Sequence, residues 1–153
     1  MRLIALLVSV ALFASSPAHA QAEFGTKAEA VAMVKRAQDM FRKDGAEVTF
    51  AAISDKANKD FHDRDLYAFV YNLAGLNVAH GARPALIGKD LIDLKDQDGR
   101  YLIREMITIA KGPGTGWFDY KWPNPITNRI EDKTSYVEKM GNDYFVGVGV
   151  YRQ

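Results

Sequence analysis

The chain has 153 residues, with 20 Lys and Arg, 19 Asp and Glu and no cysteine, enough length for one domain with a real core. Balanced charge argues against nucleic acid as a partner, because a phosphate-binding surface needs net or clustered positive charge. The absence of cysteine excludes disulfides, thiolate metal sites and thiol nucleophiles, so stability must come from burial.

Arg2 is the only charge before an apolar run from Leu3 to Ala14, and Ser15-Ser16-Pro17-Ala18-His19-Ala20 supplies the small residues of an A-x-A cleavage site. The expectation is a secretory signal peptide over residues 1–20, since the run is short for a bilayer span of roughly 20 residues. Cleavage leaves a single domain of residues 21–153 with 19 basic and 19 acidic residues. No later apolar run has spanning length, so the mature chain is expected to be periplasmic or secreted and to cross no membrane.

Thr26 to Asp44 reads as a helix, with Thr26 and Glu29 at capping-box spacing and Val31, Val34, Ala37 and Phe41 on one side. Gly45 is its expected stop, followed by a second helix from Ala46 to Ala57. His62-Asp63-Arg64-Asp65 reads as a solvated connection. Leu66 to Leu73 and Leu76 to His80 read as a strand hairpin turning at Asn72-Leu73-Ala74-Gly75, and Gly81 to Gly99 as a loop crossing the sheet. A third helix is expected from about Arg100 to Lys111, with Asp98 near its start and Leu102, Ile103, Met106, Ile107 and Ala110 on one face.

Thr115 to Trp122 alternates, placing Phe118, Tyr120 and Trp122 on one face and Trp117, Asp119 and Lys121 on the other. Pro123 and Pro125 stiffen the tip before the chain returns through Lys133 to Lys139. In the last strand, Tyr144 to Tyr151, Gly147 and Gly149 share a face open to close approach, with a helix the expected neighbour. The sum is an α+β domain with a five-stranded antiparallel sheet and helices gathered to one side.

The aromatic face with Lys133 beside it makes a wall for a small anion: rings for its body, a cation for its carboxylate. The competing role for these rings is plain core. His80 at a strand end and Arg83 just beyond it could contact such a ligand, the guanidinium gripping a carboxylate in bidentate fashion. Asp93, Asp96, Asp98 and Gly99 fail the spacing of a calcium loop and read as turn and cap formers, so no metal is expected. No nucleophile elbow, zinc-protease, phosphate-loop or dinucleotide motif is present, so neither catalysis nor a cofactor is expected.

Tyr67-Ala68-Phe69-Val70-Tyr71, Ala79-His80-Gly81, Pro84-x-Leu86-Ile87-Gly88-Lys89, Gly116-Trp117-Phe118-Asp119-Tyr120-x-Trp122-Pro123-x-Pro125 and Lys133-x-Ser135-Tyr136-Val137 form one ordered set. In this the chain resembles a single Cache domain of the second type, an extracellular relative of the PAS fold. The resemblance implies a long N-terminal helix, a five-stranded sheet and crossing helices and loops over a pocket that senses small organic acids. The candidate ligand contacts are then His80, Arg83, Tyr120, Trp122, Lys133 and Tyr136, with His80 similar to the family's pocket histidine. Most such domains belong to transmembrane chemoreceptors and kinases. This sequence runs to Gln153 with no signalling module, so the expected role is a carboxylate-binding module acting through a separate receptor or kinase. The alternative is a ligand-free interaction or structural protein of the same fold. Intact-mass analysis of exported protein is expected to find Gln21 at the N-terminus; a membrane-retained product still carrying Met1 or Arg2 would mark the segment as an anchor.

Overall fold

The structure, a computed structural model, describes residues 24–152, so the expected signal peptide and its cleavage point lie outside the described residues. Helix α1 spans Lys27–Ser54 and begins at the expected capping box, where the Thr26 hydroxyl accepts from the Glu29 amide and the Glu29 carboxylate accepts from the Thr26 amide. Gly45 leaves helical geometry at φ 83. The two helices read from the sequence are therefore two arms of one kinked helix rather than separate elements.

Strands β1 (His62–Asp63), β2 (Leu66–Asn72) and β3 (Asn77–His80) precede a 3-10 turn at Pro84–Leu86, and helix α2 (Leu102–Lys111) leads into β4 (Thr115–Pro123), β5 (Ile130–Met140) and β6 (Tyr144–Tyr151). All pairings are antiparallel, in the order β1-β2-β6-β5-β4, with β3 also on β2. The five expected strands are present, and a two-residue sixth, β1, joins them because the charged stretch at 62–65 is not a solvated connection but a tight hairpin. Arg64 takes a left-handed φ of 56 at its turn, and Asp65 is fully buried.

Leu66 to Tyr71 are all buried, because the sheet is covered on both faces. On one face Ala68, Val70, Val146, Val148 and Met140 pack on Met33, Val34 and Ala37 of α1. On the other, Tyr67, Phe69, Tyr71, Phe145 and Val137 meet Leu102, Ile103, Met106 and Ala110 of α2. The helices are therefore not gathered to one side. Tyr101 is the N-cap residue of α2 and makes no side-chain cap, so Asp98 does not cap the helix. Asp96 does the organising: its carboxylate accepts from the amides of Asp98, Arg100 and Lys121.

Gly147 and Gly149 do not receive a helix. A Cβ on Gly147 would lie 2.4 Å from the Phe69 ring, and one on Gly149 would lie 2.2 Å from Lys133 Cε and 2.3 Å from Ser135 Oγ. Each glycine is a seat for a large side chain from a neighbouring strand. Gly147→Ala forces the Phe69 ring to move within a packed core, and an equilibrium denaturation series is expected to show a loss of about 1 to 3 kcal/mol with the fold retained.

Candidate functional site

A cavity lies between the sheet and the α2 layer, lined by Tyr67, Phe69 and Tyr71 from β2, His80 from β3, Tyr120 and Trp122 from β4, Leu94 from the crossing segment, and Leu102, Ile103 and Met106 from α2. Alternation puts the aromatic residues there: β2 and β4 each present every second side chain to this face. The side chains leave about 20 Å3 for the centre of a water-sized sphere, room for roughly one or two waters.

His80 is buried, and its Nδ1 accepts from the amides of Ala82 and Arg83 at 3.2 and 3.0 Å. An Nδ1 lone pair occupied in this way leaves the ring proton on Nε2, so His80 lines the cavity as a hydrogen-bond donor. Its ring stacks on Tyr67 with centroids 5.1 Å apart. Burial, assisted by the charges of Lys133 and Arg83, lowers its pKa to about 3, so it stays neutral at physiological pH. Arg83 is exposed at the rim, its guanidinium 5.6 Å from the Trp122 ring centroid, and it forms no ion pair among the described residues.

Lys133 is fully buried, although the acids just before it have other partners: Arg129, Asn124 and Thr127 for the half-buried Glu131, and Lys121 for the exposed Asp132. It is not itself on the cavity wall. Its stem crosses Gly149, and its Nζ sits 3.8 Å from the centroid of Tyr67, which is on the wall, and 4.6 Å from that of Tyr151. The ammonium donates one hydrogen bond, 3.4 Å to the Tyr151 hydroxyl. Since that hydroxyl donates onward to the Pro123 carbonyl at 2.8 Å, the Tyr67 hydroxyl, 3.2 Å away, must donate to it. Burial pushes the Lys133 pKa well down, and the charge of Asp65 partly restores it. The phenols of Tyr67, Tyr71, Tyr120 and Tyr151 are all pushed up by burial and stay neutral.

Tyr120 pairs with Lys133 across β4 and β5 and shares a 2.9 Å hydroxyl contact with Ser135. The structure thus gathers His80, Tyr120 and Trp122 on the wall, Arg83 at the rim and Lys133 one ring away. Tyr136 is not brought there: one residue out of phase with Ser135, it points to the α1 side, lies against Trp117 with centroids 5.4 Å apart in a tilted arrangement and donates to Glu138. The sequence reading missed Tyr67, Phe69, Tyr71 and Tyr151 as members of the site. The first three were detectable, because Tyr67, Phe69 and Tyr71 repeat at every second position of a strand. Among the described residues no cluster of three acids or histidines could hold a metal, and no helix is long and apolar enough to cross a membrane.

Residues 9–153 match the family described as Single Cache domain 2. The chain is 40% identical over 91 residues to the sensor histidine kinase MctS of Rhizobium johnstonii and 32% identical over 91 residues to the methyl-accepting chemotaxis protein McpP of Pseudomonas putida. Each alignment takes in 59% of this chain and only 20% and 17% of those relatives' lengths. Among solved structures, a methyl-accepting chemotaxis protein from Vibrio parahaemolyticus superposes with a TM-score of 0.69 at 28% identity, covering 82% of this chain and 87% of that one. A structure described as the basis for carboxylic acid recognition by a Cache chemosensory domain gives 0.65 at 26%, covering 79% and 84%.

The buried His80 predicts a pH dependence. An unfolded histidine protonates near pH 6.5, whereas the folded one holds its proton off until about pH 3. The unfolded chain therefore binds the extra proton first, and stability complete above about pH 6.5 declines as pH falls, by about 2 kcal/mol at pH 5. In His80→Asn the amide oxygen can still accept the two backbone N–H groups, and denaturation at pH 7.5 and pH 5 is expected to show that share of the decline abolished.

Proposed function

Because the chain belongs to the single Cache domain 2 family, we propose that it is a sensory module working outside the cytoplasm, which takes a small organic acid between sheet and α2 and reports occupancy to a receptor or kinase. One observation carries this reading: the ammonium of Lys133, fully buried, has among the described residues a phenol oxygen at 3.4 Å as its one hydrogen-bond acceptor. A buried cation left this poorly satisfied is costly, and a carboxylate supplies the charge and the acceptors it lacks. His80 adds a neutral N–H donor, Arg83 a second cation at the entrance, and Tyr67, Tyr120 and Trp122 the apolar walls. The small space favours short acids, admitted as Tyr67 or Trp122 shifts to open the way to Lys133.

A second reading has its own support. With about 20 Å3 left among the rings, the aromatic side chains come close to filling the cavity themselves, as a ligand-free interaction protein of this fold would require. Titration of the purified domain with acetate, propionate and larger acids separates the two. In the ligand reading, an acid at 100 times its Kd adds roughly 2.7 kcal/mol to stability. Lys133→Met then loses about 2 to 3 kcal/mol of binding and Tyr120→Phe about 1 kcal/mol. Lys133→Met should change stability little, because relief of the buried ammonium is offset by Asp65 losing its counter-charge. Absence of a shift with any acid, amino acid or amine would leave the filled-cavity reading standing.

A further inference from the structure

Asp65 is the buried ionisable group that the site as described above does not use. It is 0% exposed. Its Oδ1 accepts the Gly25 amide at 2.6 Å, while its Oδ2, equally buried, has no partner. Its charge acts on Lys133 and on the Tyr151 hydroxyl that Lys133 contacts. The two ions are not in contact: no oxygen of Asp65 forms an ion pair with Lys133 within 4.0 Å. They are a separated couple in one low-dielectric interior.

Counting charge in that interior gives the consequence. Without ligand, Asp65 and Lys133 share one proton and are neutral together: an ionised acid beside an ammonium. The ammonium is the favoured site for that proton, because it lies over the faces of Tyr67 and Tyr151 with a hydroxyl to donate to. A carboxylate entering this cluster brings a negative charge, and three ionised groups would leave a buried net charge of minus one. Neutrality returns when one proton is added. Asp65 has the place for it, since Oδ2 can take the proton while Oδ1 keeps the Gly25 amide.

We propose that Asp65 is the proton acceptor of the binding site: a carboxylate that docks against Lys133 is taken up together with one proton, which goes to Asp65 Oδ2. This rests on the ligand reading above. The step balances without a further reactant, since one carboxylate ion and one solvent proton enter and no bond beyond Oδ2–H forms. The other charged or titratable groups facing the couple are Arg64 beside Asp65, Tyr67 and Tyr151 from β2 and β6, Tyr120 opposite Lys133 on β4, and His80 and Arg83 from β3 and the segment after it. Burial raises the Asp65 pKa, in the direction that helps it accept. Asp65 is thus a positioning residue that sets the pH window of binding, and the Gly25 bond ties the same carboxyl group to the chain just ahead of α1.

The test is calorimetric titration of acetate at pH 7 in phosphate and in Tris, whose protonation heats differ, with the wild type and with Asp65→Asn. The asparagine keeps an oxygen for the Gly25 amide and cannot ionise. Expected for the wild type is an uptake close to one proton per acetate, with affinity falling roughly tenfold per pH unit from pH 6.5 to 8. For Asp65→Asn, uptake should drop well below half a proton, and acetate should bind roughly tenfold tighter than in the wild type at pH 8. Acetate binding by the wild type without proton uptake would overturn the proposal and leave the ligand reading intact. Equal uptake in Asp65→Asn would do the same, whereas no acetate binding at any pH would overturn both. If the variant fails to fold, the wild-type buffer comparison still overturns the proposal when no proton is taken up, and Asp65→Ser, which also cannot ionise, then locates the proton.

Discussion

The burial of one ammonium governs half of this molecule. Lys133 lies on β5, beside the border strand β4, with no ion-pair partner in contact among the described residues, and its neighbours are arranged around that difficulty. Gly149 gives up its side chain so that the lysine stem can lie across the next strand. Tyr67 and Tyr151 turn ring faces toward the charge, and Asp65 supplies a distant counter-charge. Such an arrangement is a poor way to gain stability, since buried charges commonly cost more than they return. It makes sense where the charge is kept for something that arrives from outside.

The two faces of the sheet divide the labour. The α1 face is aliphatic and tightly packed, with Val34, Ala37, Val70, Val146 and Val148 close to fully excluded from solvent. The α2 face carries the aromatic rings, the hydroxyl network and the cavity. The hairpin at 62–65 joins them: Arg64 holds the Phe24 carbonyl and the Glu29 carboxylate at the start of α1, and Asp65, the next residue, faces the charged interior.

Much of this was legible in the sequence, for reasons that can be traced. The capping box at Thr26 and Glu29, the alternation through Trp122 and the apolar face of the helix read up to Lys111 are local signals, and local geometry follows them. Lys133 was legible as a returning cation, but its depth was not, because burial depends on Gly149 in the following strand, β6. Tyr136 was misplaced by a single step of strand phase, since a motif match carries no information about which face a residue takes. Asp65 was hidden by its setting: a run of four charged or titratable residues reads as solvated, and only the left-handed turn at Arg64 folds its last member inward.

The crossing segment that roofs the cavity also does something at the sheet's border. Strand β4 ends the sheet, and its outward backbone groups are partly taken: the Lys121 amide by Asp96, the Asp119 carbonyl by Arg100. A free border of this length, bearing aromatic residues, is a template on which a second chain could add a strand. The crossing segment is therefore also a guard against self-assembly: any displacement of it would bare part of the β4 edge, which sets a physical limit on how far it can move.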